Sequence, residues 1–234
     1  MTDFIKCLSY WNIDIDDESL VLFDKYYDLL ISWNKKFNLT SVTDREQVYI
    51  RHFADSIALM SYVDISGKKI LDVGSGAGFP GIPLAIMSGN CDIVLLDSLQ
   101  KRVGFLEHVI SELGIDNADV CWGRAEELGH DLLYREKFDI VTSRAVASLD
   151  VLSEYCLPFV KEGGVFVSYK SGDPDEEISS AENAVQSLGG RFSKVENFNI
   201  PFTDISRSLI FIEKSSATPE PYPRRPGKPL KKPL

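Results

Sequence analysis

Cysteine and histidine are scarce in this chain and widely scattered. The four cysteines are Cys7, Cys91, Cys121 and Cys156, and the three histidines are His52, His108 and His130. No two cysteines form a C-x-x-C pair, and no Cys/His group has metal-ligand spacing, so no metal site is expected. Scattered single cysteines in 234 residues point to reduced thiols packed as small apolar side chains, and to the cytoplasm. No run of 18 apolar residues occurs, which argues against a membrane-spanning helix. Met1–Tyr10 has no basic stretch followed by an apolar core, so it does not read as a secretory signal. Positive charge is also short: 25 Lys and Arg stand against 35 Asp and Glu, a net charge of −10. Five of the basic residues (Arg224, Arg225, Lys228, Lys231 and Lys232) follow Ser215 with a single acid, Glu220, leaving 20 basic and 34 acidic residues before them. A body this acidic argues against broad nonspecific nucleic-acid binding, whereas its basic end allows local contact with phosphates.

What is present is enough apolar material for a sizeable core, 44% of residues, in a patterned order. Phe23, Tyr26, Leu30, Trp33 and Phe37 recur in steps of three and four, the stripe of an amphipathic helix. A second helix is predicted to start at Thr43, with Glu46 completing a capping box, and to carry Ile50, Phe53, Ile57 and Met60 on its apolar face. The polar segment 38–41 between them reads as a loop. The pattern changes at Gly67. Strand-like runs at 69–73, 93–97, 119–122, 138–142, 165–170 and 208–213 alternate with helical stretches near 81–87, 99–113, 126–134, 149–160 and 176–188. Such alternation predicts an α/β domain, a mostly parallel sheet with helices on both faces. The absence of a helix between residues 191 and 213 predicts an antiparallel terminal hairpin. Six prolines after Ala217 predict an extended tail without regular helix. Three units follow: an N-terminal helical extension (1–64), the α/β domain (65–214) and a proline-rich basic tail (215–234).

The strongest local signal is the run Ile70-Leu71-Asp72-Val73-Gly74-Ser75-Gly76-Ala77-Gly78-Phe79-Pro80-Gly81. A buried strand enters a glycine-rich turn and a helix follows, with Pro83 placed in its first turn. In an open α/β sheet, ligands bind at this crevice beyond the carboxyl ends of the strands. Gly76, Gly78 and Gly81 satisfy the dinucleotide fingerprint G-x-G-x-x-G, a weak match alone. Asp72, Gly74, Gly76 and Gly78 form another frame, an acid two residues before alternating glycines. An acid there repels a pyrophosphate and suits the cationic amine-bearing end of S-adenosylmethionine, directly or through a water. Asp97 ends the second strand, where a carboxylate accepts from ribose hydroxyls of either ligand. Ala125 and Glu126 follow the third strand, where a backbone N–H and a carboxylate can read an adenine edge. A glycine turn without a ligand is the remaining possibility.

Several segments together resemble the RsmG family, also called glucose-inhibited division protein B. They are 38–42 (Asn-Leu-Thr-Ser-Val), Arg51-His52 with Asp55-Ser56, the glycine turn with Pro80, Leu96-Asp97-Ser98 with Lys101-Arg102, Ser143-Arg144-Ala145, and Tyr222-Pro223-Arg224. The match runs from about Trp33 onward, and no serious departure is visible. The glycine turn is common to many methyltransferases; the other segments are specific as a set. The resemblance implies a Rossmann-like S-adenosylmethionine-dependent methyltransferase fold with a seven-stranded sheet, and methylation of a guanine N7 in 16S rRNA of the 30S ribosomal subunit. It implies cofactor contacts at Gly74, Phe79, Asp97, Ala125, Glu126 and Arg144, beside the Asp72 and Gly76 of the turn. The N-terminal helices carry no obvious heptad seam, so a monomer is the default expectation.

A ring nitrogen with an available lone pair attacks a sulfonium methyl without prior deprotonation. Catalysis then consists of positioning and desolvation, and no general base is expected. The Asn/Asp-Pro-Pro-aromatic motif of amino methyltransferases is absent after the fourth strand, where Thr142-Ser143-Arg144 stands instead. Arg144 is a candidate to brace a methionine carboxylate, an RNA phosphate or guanine O6, or simply to pair with Glu126 or Asp97. Asn38 and His52 are candidates for substrate positioning, against capping and structural roles. Lys170 and Ser171 end the fifth strand and are candidates to face substrate. The tail is either a solvated end or an arm on rRNA phosphates. Two alternatives stay open: an NAD-type oxidoreductase, and a noncatalytic RNA-binding module on a methyltransferase fold.

Overall fold

A computed structural model describes all residues, Met1–Leu234. The strands are β1 (Lys69–Val73), β2 (Asp92–Asp97), β3 (Ala118–Trp122), β4 (Phe138–Arg144), β5 (Val160–Ser171), β6 (Gly190–Asn199) and β7 (Ser206–Lys214). They form one sheet of order β3-β2-β1-β4-β5-β7-β6. β1 to β5 run parallel, while β7 is antiparallel to both β5 and β6. The expected fold class and terminal hairpin are both present. Chain order reverses direction across the sheet at β1, which opens a crevice at the carboxyl ends of β1 and β4.

Successive side chains of a strand point to opposite faces, and β1 divides its apolar residues accordingly. Ile70 packs with Ile93, Leu95, Ile140 and Phe211 in one core, and Leu71 and Val73 with Leu96, Val141 and Ile210 in the other. The first core is covered by the N-terminal extension: α1 (Thr2–Tyr10), α2 (Asp17–Phe37), α3 (Arg45–Val48), a π-helical segment Tyr49–Ala54 and α4 (Asp55–Ile57). Phe4, Phe23, Tyr26 and Phe53 supply its buried rings. Of the helices after β1, α5 (Gly81–Met87) and α6 (Gln100–Leu113) bury apolar residues in this same core. On the other face lie α8 (Leu149–Cys156) and α9 (Asp175–Ser187), with the short α7 (Ala125–Leu128) beside α8.

Several boundaries differ from expectation for local reasons. The second helix is capped by Asp44, whose carboxylate accepts from the Gln47 N–H at 3.0 Å, not by Thr43. A charged acceptor one residue later outcompetes the hydroxyl at a helix N-terminus. The helix expected over 126–134 stops at Leu128. Beyond it Gly129 accepts from Arg135, and Asp131 caps a turn through the Leu133 N–H. Pro158 turns the end of the expected 149–160 helix into a 3₁₀ turn. The tail is not wholly free of helix. One turn, α10 (Lys228–Lys231), follows Gly227 and holds Pro229 at its start, where a missing N–H is harmless. Nor is the tail a solvated end: Pro223 and Pro229 are buried against the body.

Lys214 closes β7 in a buried position. Its ammonium donates to the carbonyls of Leu157 and Val160 at 2.8 and 3.0 Å and pairs with Glu136 at 3.1 Å. Burial pulls its pKa down against the pull of Glu136. Lys214→Met removes three donated bonds and leaves Glu136 without its charge partner, held only by the Thr218 N–H. Urea denaturation is expected to show a loss of about 3 kcal/mol; an unchanged midpoint would mean that the ammonium contributes nothing to the join between β7 and β4–β5.

Candidate active site

A cavity of about 460 Å³ opens at the carboxyl ends of β1 to β4. That is within the usual range for a small-molecule site. Its floor is the glycine turn. Gly74 has φ +74°, and a Cβ there would lie 2.5 Å from Val146, so only glycine serves both the turn and the close approach. Gly76, Phe79, Asp97, Ala125, Glu126 and Arg144 line the same cavity, as do Leu39, Thr40, His52 and Tyr155. Residues chosen from five separate stretches of sequence therefore converge.

Asp72 does not join them. It is fully buried under the turn, with one oxygen accepting from the Gly81 N–H at 3.1 Å and the other from the Thr142 hydroxyl at 3.2 Å. It anchors the start of α5 to β1 and β4 and does not line the cavity. Burial raises its pKa to about 6, against the lowering effect of the Gly81 N–H. Asp97 does reach the cavity. Its Oδ2 accepts from the Gly76 N–H at 2.9 Å and from Arg102 at 3.4 Å, and its Oδ1 from the Leu99 N–H at 2.9 Å. Oδ1 keeps one further acceptor position.

The far wall is a stack. The His52 imidazole lies on Phe79 at 4.6 Å and 28°, and the Arg144 guanidinium lies 4.9 Å from the same ring. The π-helical segment that carries His52 has a wider turn than an α-helix, a feature common at functional sites. His52 Nδ1 lies 3.1 Å from the Arg51 carbonyl, which can only accept, so this nitrogen carries the proton. Nε2 then accepts from the Thr40 hydroxyl at 2.9 Å. Burial, helped by the Arg144 charge, lowers the His52 pKa to about 3. The imidazole is neutral and its lone pair is engaged.

Arg144 pairs with neither Glu126 nor Asp97. Its partner is Asp55, at 2.9 Å, and Arg207 of β7 reaches the other oxygen of the same carboxylate at 3.1 Å. Beyond this pair lies a second cavity of about 290 Å³, lined by Arg51, Asp55, Tyr169, Lys170, Ser171 and Arg207. His52, Arg144 and Ala145 border both cavities. Lys170 and Ser171 thus face the second cavity, with the Lys170 ammonium held by Glu177 at 2.5 Å. Asn38 faces neither. It is exposed, caps α2 with φ +51°, and so turns the chain to present Leu39 and Thr40. Arg207 and Tyr169 carry no local motif; only the antiparallel pairing of β7 with β5 brings them here. Asp55 was visible only as part of a family segment.

Comparison with known proteins places this geometry in context. The family model for rRNA small subunit methyltransferase G matches residues 19–209. The ribosomal RNA small subunit methyltransferase G of Lachnoclostridium phytofermentans is 49% identical over 99% of this chain and 96% of its own length. That of a Geobacillus species is 45% identical over 99% and 98%. Among solved structures, TYW2 of M. jannaschii in complex with AdoMet superposes with a TM-score of 0.51 at 16% identity, covering 67% of this chain and 73% of its own. That likeness concerns the fold alone.

Asp72 gives a test of the buried turn. Its folded pKa, about 6, lies above the ordinary carboxylate value of about 3.9. Its contribution to stability is therefore complete below pH ~4 and is lost as pH rises through ~6. Asp72→Asn keeps an acceptor for the Gly81 N–H and cannot ionise. Relative to the parent chain it is expected to gain stability between pH 4 and 6 and to level off above that, by a difference on the order of 3 kcal/mol. A pH-independent difference in urea midpoint would contradict this account of Asp72.

Proposed function

The chain belongs to the rRNA small subunit methyltransferase G family, and from that premise we propose that it methylates N7 of a guanine in 16S rRNA, acting as a cytoplasmic monomer on the 30S subunit. Membership selects S-adenosylmethionine-dependent transfer over the oxidoreductase alternative. The observation that carries the N7 reading is the meeting of two cavities at His52, Arg144 and Ala145, where no side chain is free to act as a base.

The first cavity fits S-adenosylmethionine. Asp97 offers a ribose acceptor, Ala125 and Glu126 border the nucleoside end, and the positive-φ glycines leave the turn open to close approach. Bound there, this cofactor supplies an electrophilic sulfonium methyl. The second cavity collects the cationic groups of Arg51, Arg144, Lys170 and Arg207 beside it, suited to the phosphates flanking a target base. Positive charge therefore reaches the RNA locally, in a chain whose overall charge is −10.

Guanine N7 needs its lone pair for the attack. The common bidentate arginine contact to O6 and N7 would occupy that lone pair, so Arg144 is assigned to O6 or to a phosphate, not to N7. The methylated ring gains positive charge. Asp55, placed between Arg144 and Arg207, offsets part of the cationic field that would otherwise oppose this change. His52 and Phe79 supply flat, water-excluding surfaces at the junction. Desolvation and alignment, not proton transfer, are the chain's contribution.

The test is transfer from methyl-labelled S-adenosylmethionine to 30S subunits that lack the modification. Label is expected in 16S rRNA, as N7-methylguanosine, with borohydride–aniline scission at a single guanine. Label on an exocyclic amine or on ribose would overturn the N7 reading. Arg207 lines only the second cavity, so Arg207→Ala is expected to lower kcat/KM for RNA by about tenfold or more while leaving cofactor affinity within about twofold. An equal loss in cofactor affinity would contradict the division between the two cavities.

A further inference from the structure

The proline-rich tail folds back over the loop that follows β3. Arg224 embraces Glu154 of α8, a carboxylate only 1% exposed. Its Nε donates to both oxygens at 2.8 and 3.0 Å, its Nη2 to Oε2 at 2.5 Å, and its main-chain N–H to Oε1 at 2.7 Å. Arg135 donates to the carbonyls of Gly129, Tyr222 and Thr218 at 2.6–2.7 Å, which ties the loop to the tail. His130 Nε2 donates to the Pro223 carbonyl at 2.6 Å. The path ends at the cavity: the Gly227 N–H donates to Glu126 Oε1 at 3.0 Å.

Glu126 is nine-tenths buried and lines the first cavity. It stands on α7, four residues long, and a helix this short does not hold its own conformation. The donor that orients its Oε1 comes from 101 residues away. Gly227 reaches it with φ +77°, a conformation suited to glycine. Arg224, locked onto α8, fixes where Gly227 arrives.

We propose that the segment Arg224–Gly227 is a strap that positions Glu126 at the nucleoside end of the cavity and thereby sets cofactor affinity. This rests on the assignment of that cavity to S-adenosylmethionine. Arg224 and the Gly227 N–H are positioning groups; neither touches the reacting atoms. With the strap released, Glu126 Oε1 loses its donor and the 123–128 loop loses its outer support. The stack of His52, Phe79 and Arg144 lies on the other wall and is left intact.

The experiment is calorimetric titration of S-adenosylmethionine into the full chain and its Arg224→Ala and Arg224→Lys variants, each well below its melting transition. Arg224→Ala is expected to raise Kd by about tenfold or more, and Arg224→Lys, which keeps one charged bond to Glu154, to recover part of it. At saturating cofactor, kcat should stay within about twofold of the parent chain. A folded Arg224→Ala variant with the parent Kd would overturn the strap and leave the tail as packing alone. Failure of the parent chain itself to bind would instead refute the cavity's assignment, and the strap with it.

Arg224→Ala leaves the buried Glu154 carboxylate with only the main-chain N–H of residue 224 and no charge partner, which is costly to stability. Should that variant not fold, hydrogen exchange on the parent chain decides. Coupling is reciprocal, so saturation with S-adenosylmethionine should slow exchange of amides in 222–231 severalfold. Unchanged rates there would overturn the proposal.

Discussion

A carboxylate only 3% exposed, Asp55, sits between the guanidinium groups of Arg144 and Arg207. Asp55 stands on α4 and its two partners on β4 and β7, so this single ionic contact joins the N-terminal extension to two strands that are distant in sequence. Tyr169 reinforces the join by donating to the Ser56 carbonyl at 2.9 Å. A buried carboxylate is tolerated only with such partners, because desolvation otherwise drives it out or neutralises it. The same contact holds the Arg144 guanidinium over Phe79 and beside both cavities. The two cavities and the extension are thus positioned relative to one another by one charge triad.

The division of labour follows from the fold. The α/β sheet supplies a nucleoside-sized crevice at its topological switch point, a property shared with many unrelated activities. What distinguishes this chain is what lies across the crevice. The π-helical segment of the extension brings His52 onto Phe79, and the loop after α2 brings Thr40 to His52. The terminal hairpin brings Arg207. The cationic lining of the second cavity is therefore a product of tertiary structure, which reconciles an acidic composition with a nucleic-acid substrate.

Much of the frame was legible in the sequence because the signals are local. Strand β1, the glycine turn and α5 form one contiguous stretch in which apolar run, glycines and proline all agree. The first four parallel strands lie within two residues of their expected bounds, while β5 begins at Val160, five residues before the expected run. The convergence of Gly74, Phe79, Asp97, Glu126 and Arg144 was also legible, since each ends or follows a strand on the same edge. Long-range choices were not. Whether Asp72 faces the cavity or the α5 N-terminus depends on the Gly81 N–H and the Thr142 hydroxyl, not on spacing. The partner of Arg144 could not be chosen between Glu126 and Asp97 because the actual partner, Asp55, lies in another layer. The docked tail was hidden for the same reason: prolines and lysines read as solvated until the buried carboxylate of Glu154 appears opposite Arg224.

The central claim is that methyl transfer occurs at the junction of the two cavities by positioning alone, with a neutral His52 and no titrating base. It is tested most directly by the single-turnover rate of transfer to 30S subunits at saturating cofactor, measured from pH 6 to 8.5. The account predicts a rate constant within about twofold across that range, because His52 stays neutral with a pKa near 3 and N7 needs no deprotonation. A rate falling tenfold per pH unit on the acid side, with a midpoint near 7 that disappears in His52→Asn, would contradict it and make His52 a general base.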